Sequence, residues 1–377
     1  MLKIIVATFV RIFTLLFKRD DKLIIVGSWF GDRYADNSRY FFEYMDNIKD
    51  FKTIWVTKND KVFNEVKSTG RHVIKVGTII SLYYHLRAKY FVFDQSINDV
   101  DSKYTRGAIR INLWHGIPLK KIGKMVKGSN FNQSDNRLKD FIFGKTKDYL
   151  VSPSEFSDDI FKKCFDKEII RGPYFRVSYL KDELWKRVET KESIMLEEIK
   201  KKNKKILFYL PTFRDNSRLQ FLGGGDYSNF LKNIEQKGYV FITKLHYAEG
   251  LFHGENESLH GIINLPDDYD VYPFLKETNI LITDYSSVYF DFLSLDREII
   301  FYPYDLDFYE KKDRGFAISY KEHTPGHKVF NINDLLNTID AIELGKINYS
   351  NEREKLNQKI WFENQELTFL KEIRKLK

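Results

Sequence analysis

The chain has 377 residues, with 61 Lys and Arg against 53 Asp and Glu, a formal net charge of +8 and one cysteine. A composition of 43% hydrophobic and 30% charged residues excludes a disordered chain, and the length suits two domains with real cores. The lone Cys164 excludes a disulfide framework and a cysteine-based zinc site, and points to a reducing compartment.

Residues 1–17 are apolar except for Lys3, Thr8, Arg11 and Thr14, and Lys18-Arg19 close the run. A spanning helix needs about 20 apolar residues without a central arginine. A signal peptide would end in small residues, not in Phe17-Lys18-Arg19-Asp20. Residues 1–19 therefore read as an amphipathic helix, either lying on an anionic membrane or docked on the body. The apolar weight favours the membrane, with Lys3, Arg11, Lys18 and Arg19 suited to an anionic bilayer.

Beyond Lys22, short apolar runs alternate with amphipathic stretches. Strands are predicted at Leu23–Val26, Thr53–Val56, Val73–Val76, Tyr90–Phe93, Ile109–Leu113 and Tyr149–Ser152. Helices fit between them at Asn37–Met45, Val62–Ser68, Thr78–Arg87 and Ser154–Phe165, the last opened by Ser154 and an acidic first turn. The charged stretch Lys181–Lys205 reads as a solvated helix and linker. Strands then resume at Ile206–Leu210, Tyr239–Thr243, Ile262–Leu265, Ile280–Thr283 and Ile299–Tyr302. Helices are predicted at Tyr227–Gln236, Val271–Lys276, Ser287–Leu295 and Asn333–Ile342, with a charged helical tail from Asn351. Buried strands alternating with helices predict parallel sheets covered on both faces. The expectation is an α/β chain of two doubly wound Rossmann-like domains, residues 20–195 and 196–377, facing a central cleft that binds ligand.

Four segments at strand ends carry candidate chemistry. Trp114-His115-Gly116 precedes Pro118 and Lys120-Lys121, and places a histidine where a strand meets the cleft. His115 there either acts as a general base, its ordinary pKa lying near operating pH, or caps the strand by bonding local backbone. Arg214 and Asp215 follow the Ile206–Leu210 strand; Arg214 either forks onto a phosphate or pairs with Asp215 in a surface turn. Lys244 and His246 alternate at the end of another strand and share one face. Asp284-Tyr285-Ser286-Ser287 joins a buried strand to an apolar helix carrying Asp291. Its serines either offer an anion site or simply cap that helix.

No phosphate-binding glycine motif is present, and Gly223-Gly224-Gly225 is a bare loop. Asp-x-Asp occurs three times, at Asp99/Asp101, Asp268/Asp270 and Asp305/Asp307, too often to mark a metal site. No His/Cys/Asp spacing suggests zinc.

As an ordered set these segments resemble the CDP-glycerol glycerophosphotransferase family, the teichoic-acid primases and polymerases. Asp36-Asn37-Ser38-Arg39, Trp114-His115-Gly116, Ser152-Pro153-Ser154-Glu155, Pro211-Thr212-Phe213-Arg214-Asp215, Lys244/His246 and Thr283-Asp284-Tyr285-Ser286-Ser287 follow the family's order. Gly172-Pro173-Tyr174-Phe175-Arg176-Val177 departs from the family's turn.

The resemblance implies a GT-B-like fold and transfer of a polyol phosphate from CDP-glycerol to a lipid-linked saccharide or polymer, with release of CMP. It implies no cofactor or metal. His115 becomes the candidate base, with His246 beside it as a second catalytic candidate. Trp114, Gly116, Lys120, Arg214, Asp215, Lys244, Asp284, Ser286, Ser287 and Asp291 become the candidate binding residues. Expected partners are a CDP-polyol, a polyprenyl-diphosphate saccharide and an anionic membrane at the cytoplasmic face; a homo-oligomer stays open. Rival readings are a CDP-ribitol-using enzyme, a glycosyltransferase using a CMP-sugar, and a basic membrane-bound binding module. Nucleic acid is excluded as a partner, because the lysine run lacks interleaved aromatics.

Overall fold

The computed structural model describes residues 14, 16–126, 147–181, 189–202, 204–212, 227–245, 262–312, 315–363 and 365–376. The chain divides into two units, residues 1–115, 127–188 and 362–377 against residues 116–126 and 189–361. Most of the expected N-terminal helix lies outside the described residues, as do Arg214, Asp215, His246 and the triple glycine.

The first unit holds β1 (Asp20–Val26), β2 (Lys52–Thr57), β3 (Val73–Lys75), β4 (Ala88–Phe93), β5 (Ile109–Asn112), β6 (Lys147–Ser152) and β7 (Glu168–Arg171). They pair in the order β3-β2-β1-β4-β5-β6-β7, every pair parallel. Leu23 to Val26 and Phe91 to Val92 are buried, as continuous apolar strands covered on both faces must be. The crossovers include helices Asp36–Met45, Asp60–Ser68, Ile79–Arg87 and Glu155–Cys164. Ser154 caps the last of these in a reciprocal box with Ser157.

The second unit holds β8 (Lys205–Leu210), β9 (Tyr239–Thr243), β10 (Ile262–Asn264), β11 (Ile280–Thr283), β12 (Glu298–Phe301) and β13 (His327–Lys328). Their order is β10-β9-β8-β11-β12-β13, again all parallel. Leu207, Tyr209, Phe241, Ile282 and Ile300 pack with Leu335 and Ile339 from the helix Ile332–Glu343 to form its core. Six strands of each unit thus follow the 3-2-1-4-5-6 order of doubly wound nucleotide-binding folds. The order reverses between β1 and β4 in one unit and between β8 and β11 in the other.

The expected single boundary between residues 195 and 196 is corrected by this division. The lysine-rich helix Lys191–Lys201 belongs wholly to the second unit, burying Leu196 and Ile199. Its cations are ion-paired within that unit, Lys191 to Asp268 at 3.0 Å and Lys200 to Glu277 at 2.9 Å. Residues 116–126 also join the second unit, where Lys120 bridges Phe316 and Ala317 N–H donates to the Leu119 carbonyl at 2.8 Å. The tail splits in two. Helix Ser350–Ile360 stays with the second unit, whereas Gln365–Lys375 returns to the first, burying Phe369 against Phe175. An apolar stripe on that last helix needs a partner, and the edge at β7 supplies it.

Arg19 also departs from expectation. Its guanidinium donates to the carbonyls of His85 at 2.6 Å, Ala88 at 2.9 Å and Tyr104 at 2.7 Å, so it braces the first unit and does not face a bilayer.

Candidate active site

In the first unit, polar groups collect where β1, β4 and β5 end. After β5, Asn112 Oδ1 accepts the Trp114 N–H at 2.8 Å and bends the chain. Trp114 takes φ +60° and Gly116 φ +140°, the latter a conformation that suits glycine and lifts His115 out of the strand direction. Asn37, fully buried, donates its Nδ2 to the Trp114 carbonyl at 2.7 Å and to that of Leu113 at 3.4 Å. The Trp114 indole stacks on the His115 ring at 4.3 Å and packs against Phe165 at 4.7 Å.

The His115 Nδ1–H donates to the Asp94 main-chain carbonyl at 3.0 Å. A carbonyl can only accept, so this bond fixes the proton on Nδ1 and makes Nε2 the basic nitrogen of the neutral ring. The bond reaches across to the end of β4 and not to local backbone, and it orients the ring with Nε2 as the nitrogen able to take a proton.

Beneath this residue lies a set of carboxylates that the sequence did not single out for the site. Asp94, at the end of β4, accepts Ser28 Oγ–H at 2.8 Å and Ser38 N–H at 3.0 Å, and is fully buried. Burial, then the charges of Asp36 and Asp99, push its carboxyl well above the usual range. Asp99 accepts the N–H groups of Phe30 and Gln95 at 2.8 Å each, and burial raises its carboxyl to about 6 against those hydrogen bonds. Gly27 lies beneath this turn, where an added Cβ would sit 2.2 Å from the Asp99 carbonyl oxygen. Asp36, at φ +64°, pairs with Arg176, whose N–H donates to Asn37 Oδ1 at 3.3 Å. The segment that departs from the family's turn thus still braces the Asp36-Asn37 motif.

The second unit gathers its groups where β8 and β11 end. Asp284 is buried and accepts Thr212 N–H at 2.8 Å, tying the two strand ends together. Tyr320 O–H donates to the Asp284 carbonyl at 3.0 Å, and Tyr285 O–H donates to Asp305 at 2.8 Å. Burial, then the Asp305 charge, pushes the Tyr285 phenol far up, which keeps it a donor. Ser286 and Ser287 are half-buried and lead into the helix Val288–Phe292, whose five residues carry little dipole. Ser287 makes no side-chain capping bond. Asp291 is fully buried and accepts the Tyr272 hydroxyl, which gives it a bracing position inside the unit. Lys244 donates one N–H to the Tyr269 carbonyl and fixes the turn after β10.

Trp114 and His115 therefore share one site in the first unit, while Gly116, Lys120, Lys244, Asp284, Ser286, Ser287 and Asp291 belong to the second. Among the described residues no group of three or more His, Cys, Asp or Glu side chains could hold a metal ion. The three Asp-x-Asp pairs carry structural bonds instead: Asp99 holds its turn, Asp268 pairs with Lys191, and Asp305 receives Tyr285.

Two doubly wound halves of one strand order, each with polar groups at its switch point, define a GT-B-like protein. The chain matches the family described as CDP-Glycerol:Poly(glycerophosphate) glycerophosphotransferase over residues 8–366, and it belongs to that family. It is 31% identical over 341 residues to the teichoic acid poly(glycerol phosphate) polymerase of Bacillus spizizenii W23, covering 84% of each chain. It is also 31% identical over 358 residues to the teichoic acid glycerol-phosphate transferase of Staphylococcus aureus NCTC 8325, covering 88% of this chain and 87% of that one. A histidine-to-asparagine variant of the wall teichoic acid polymerase TagF, soaked with CDPG, shares the fold. Its TM-score is 0.74 at 23% identity, over 95% of this chain and 89% of that one. The chain is thus a CDP-glycerol glycerophosphotransferase of the cell-wall polymer class.

Proposed function

We propose that this enzyme moves glycerol phosphate from CDP-glycerol to a hydroxyl of a lipid-linked saccharide or teichoic-type polymer at the membrane surface. The observation that carries the reading is His115, its Nδ1–H committed to the Asp94 carbonyl and its Nε2 basic, beside the β1/β4 switch point. Nε2 takes the proton as the acceptor oxygen bonds to the β-phosphorus of the donor. The bond from that phosphorus to the bridging oxygen breaks, and the oxygen leaves on CMP. Such a displacement gains most from in-line positioning and from cations facing the diphosphate. Lys120, Arg214, Lys244 and His246 are our candidates for that charge, and Ser286 and Ser287 for hydrogen bonds to the phosphates.

The test incubates the protein with CDP-glycerol or CDP-ribitol and a lipid-linked saccharide, following CMP release and the mass of the acceptor. A gain of one or more glycerol phosphate units supports the reading; no turnover with either donor sinks it.

Exposed apolar side chains support the location. Ile79 is 86% exposed, Ile80 60% and Tyr83 49%, all on helix Ile79–Arg87, and Leu16 is 74% exposed. Arg19 fastens the end of the N-terminal segment to the last turn of that helix. No helix among the described residues is long and apolar enough to cross a membrane, so we assign these groups to surface contact. Removing residues 1–18, which spares Arg19, or changing Ile79 and Ile80 to Asp should each move protein from the membrane to the soluble fraction. Unchanged sedimentation with membranes in both would refute this assignment.

A further inference from the structure

The second unit carries a cavity of about 410 Å³ whose lining includes Lys321, Lys328, Lys355 and Lys359. None of these residues belongs to the motifs at the β8/β11 switch point. Lys355 and Lys359 stand one turn apart on helix Ser350–Ile360 and so share a face. Lys321 comes from the short helix Tyr320–His323 and Lys328 from β13. Among the described residues none of the four lysines is joined in an ion pair, although the lysines of helix Lys191–Lys201 and of β8 find carboxylates readily. Like charges one turn apart on a helix are mildly destabilising, and a bound anion relieves them. Burial, and then the charge of Lys321, hold the Lys328 ammonium below its ordinary value. Lys328 Nζ already donates to the Thr324 carbonyl at 2.8 Å, which fixes it in the wall.

The lining is not purely cationic. Glu322 and Glu352 share it, and carboxylates accept hydrogen bonds from hydroxyl groups while repelling phosphate. A bare anion gains nothing from them, whereas a ligand alternating phosphate with hydroxyl-bearing carbons uses both kinds of group. The volume falls within the ~300–1,000 Å³ of small-molecule sites and admits more than one phosphate. None of the lining side chains is an exposed large apolar group, so the cavity lacks the anchors of a bilayer contact.

We propose that this cavity binds glycerol phosphodiester units of the acceptor polymer, away from the reacting end, and so tethers chains that already carry several units. This rests on the donor chemistry of the preceding section for its meaning, but its test does not need turnover. Binding of a soluble glycerol phosphate oligomer of about six units is measured by calorimetry on the full chain. The comparison probes are inorganic phosphate and phosphatidylglycerol vesicles. Wild type should bind the oligomer at least tenfold more tightly than inorganic phosphate. Lys355→Glu/Lys359→Glu should weaken oligomer binding tenfold or more, with the neutral pair Lys355→Gln/Lys359→Gln intermediate and thermal melts unchanged. In transfer assays the charge-reversed pair should raise KM for long acceptors and leave transfer to a single-unit acceptor as in wild type.

Equal oligomer binding by wild type and both variants overturns the proposal. So does inorganic phosphate binding as tightly as the oligomer, or a loss confined to the vesicles. Failure of transfer with every acceptor refutes the proposed function instead, and leaves the binding result to decide the cavity on its own.

Discussion

Where β1 and β5 end, the first unit holds Trp29, Phe30, Asp36 and Trp114 at φ between +46° and +64°. Among the described residues of the second unit the one non-glycine residue in that region is Asp296, which precedes β12 at the opposite end of its sheet. The two sheets share a strand order, so topology does not require the strain. Each such residue costs roughly 1–3 kcal/mol, which the surrounding bonds must offset. In the first unit those bonds are Asn37 to Trp114, Asp99 to Phe30 and Arg176 to Asp36, all partly or fully buried. The second unit instead fills its switch point with tyrosines, Tyr285 stacking on Tyr309 at 3.9 Å. A strained, over-braced end suits a group that must act at one atom, and a packed, hydroxyl-rich end suits holding a ligand.

The contrast can be broken most sharply at His115. His115→Ala should lower kcat by roughly 10²–10⁴-fold as the base is lost, while the fold survives the loss of the Asp94 bond and the Trp114 stacking at a cost of about 1 kcal/mol. An activity loss below tenfold would remove His115 from the chemistry. Next, Asn37→Ala leaves the Trp114 and Leu113 carbonyls without their buried donor. It should cost about 1–3 kcal/mol in stability and reduce kcat more than it raises KM. Denaturant unfolding and steady-state kinetics read the two effects, and a stability loss with kcat intact would reduce Asn37 to a structural role.

A third test uses pH. Asp99 is raised to about 6 when folded, against ~3.9 in an unfolded chain. Its stabilising contribution is therefore fully present below about pH 4 and is lost as pH rises through about 6. The difference in Tm between wild type and Asp99→Asn should fall across that window and flatten above it. A difference that rises with pH would show that the hydrogen bonds to Asp99 outweigh its burial. The smallest effect belongs to the second unit. Tyr285→Phe removes the bond to Asp305 and should cost about 1 kcal/mol without changing the pH profile of kcat.

Much of this layout was legible along the chain. Tyr239–Thr243 and Ile280–Thr283 end where their apolar runs end, and Thr78 and Ser154 cap the helices they were expected to open. The edges were not legible. β7 has two apolar residues and β13 is only two residues long, so neither presents the continuous run that marks a buried strand. His115 could be singled out from its neighbours, but its partner could not. Asp94 lies 21 residues away and meets it only because β4 and β5 pair. The lysine cavity was hidden for the same reason, being assembled from three separate elements. The bond from the Tyr272 hydroxyl to Asp291 was hidden in the same way, since the two residues lie 19 apart on separate helices.

The return of helix Gln365–Lys375 to the first unit has a consequence for how the protein is made. The strands of that unit are made before most of the second unit, and its helix Gln365–Lys375 emerges only after the whole of it. Until then β7 and Phe175 present an apolar surface with nothing over it, at a stage when chains fold domain by domain and exposed surface invites misassembly. The half carrying His115 is thus completed only after the other half has been made.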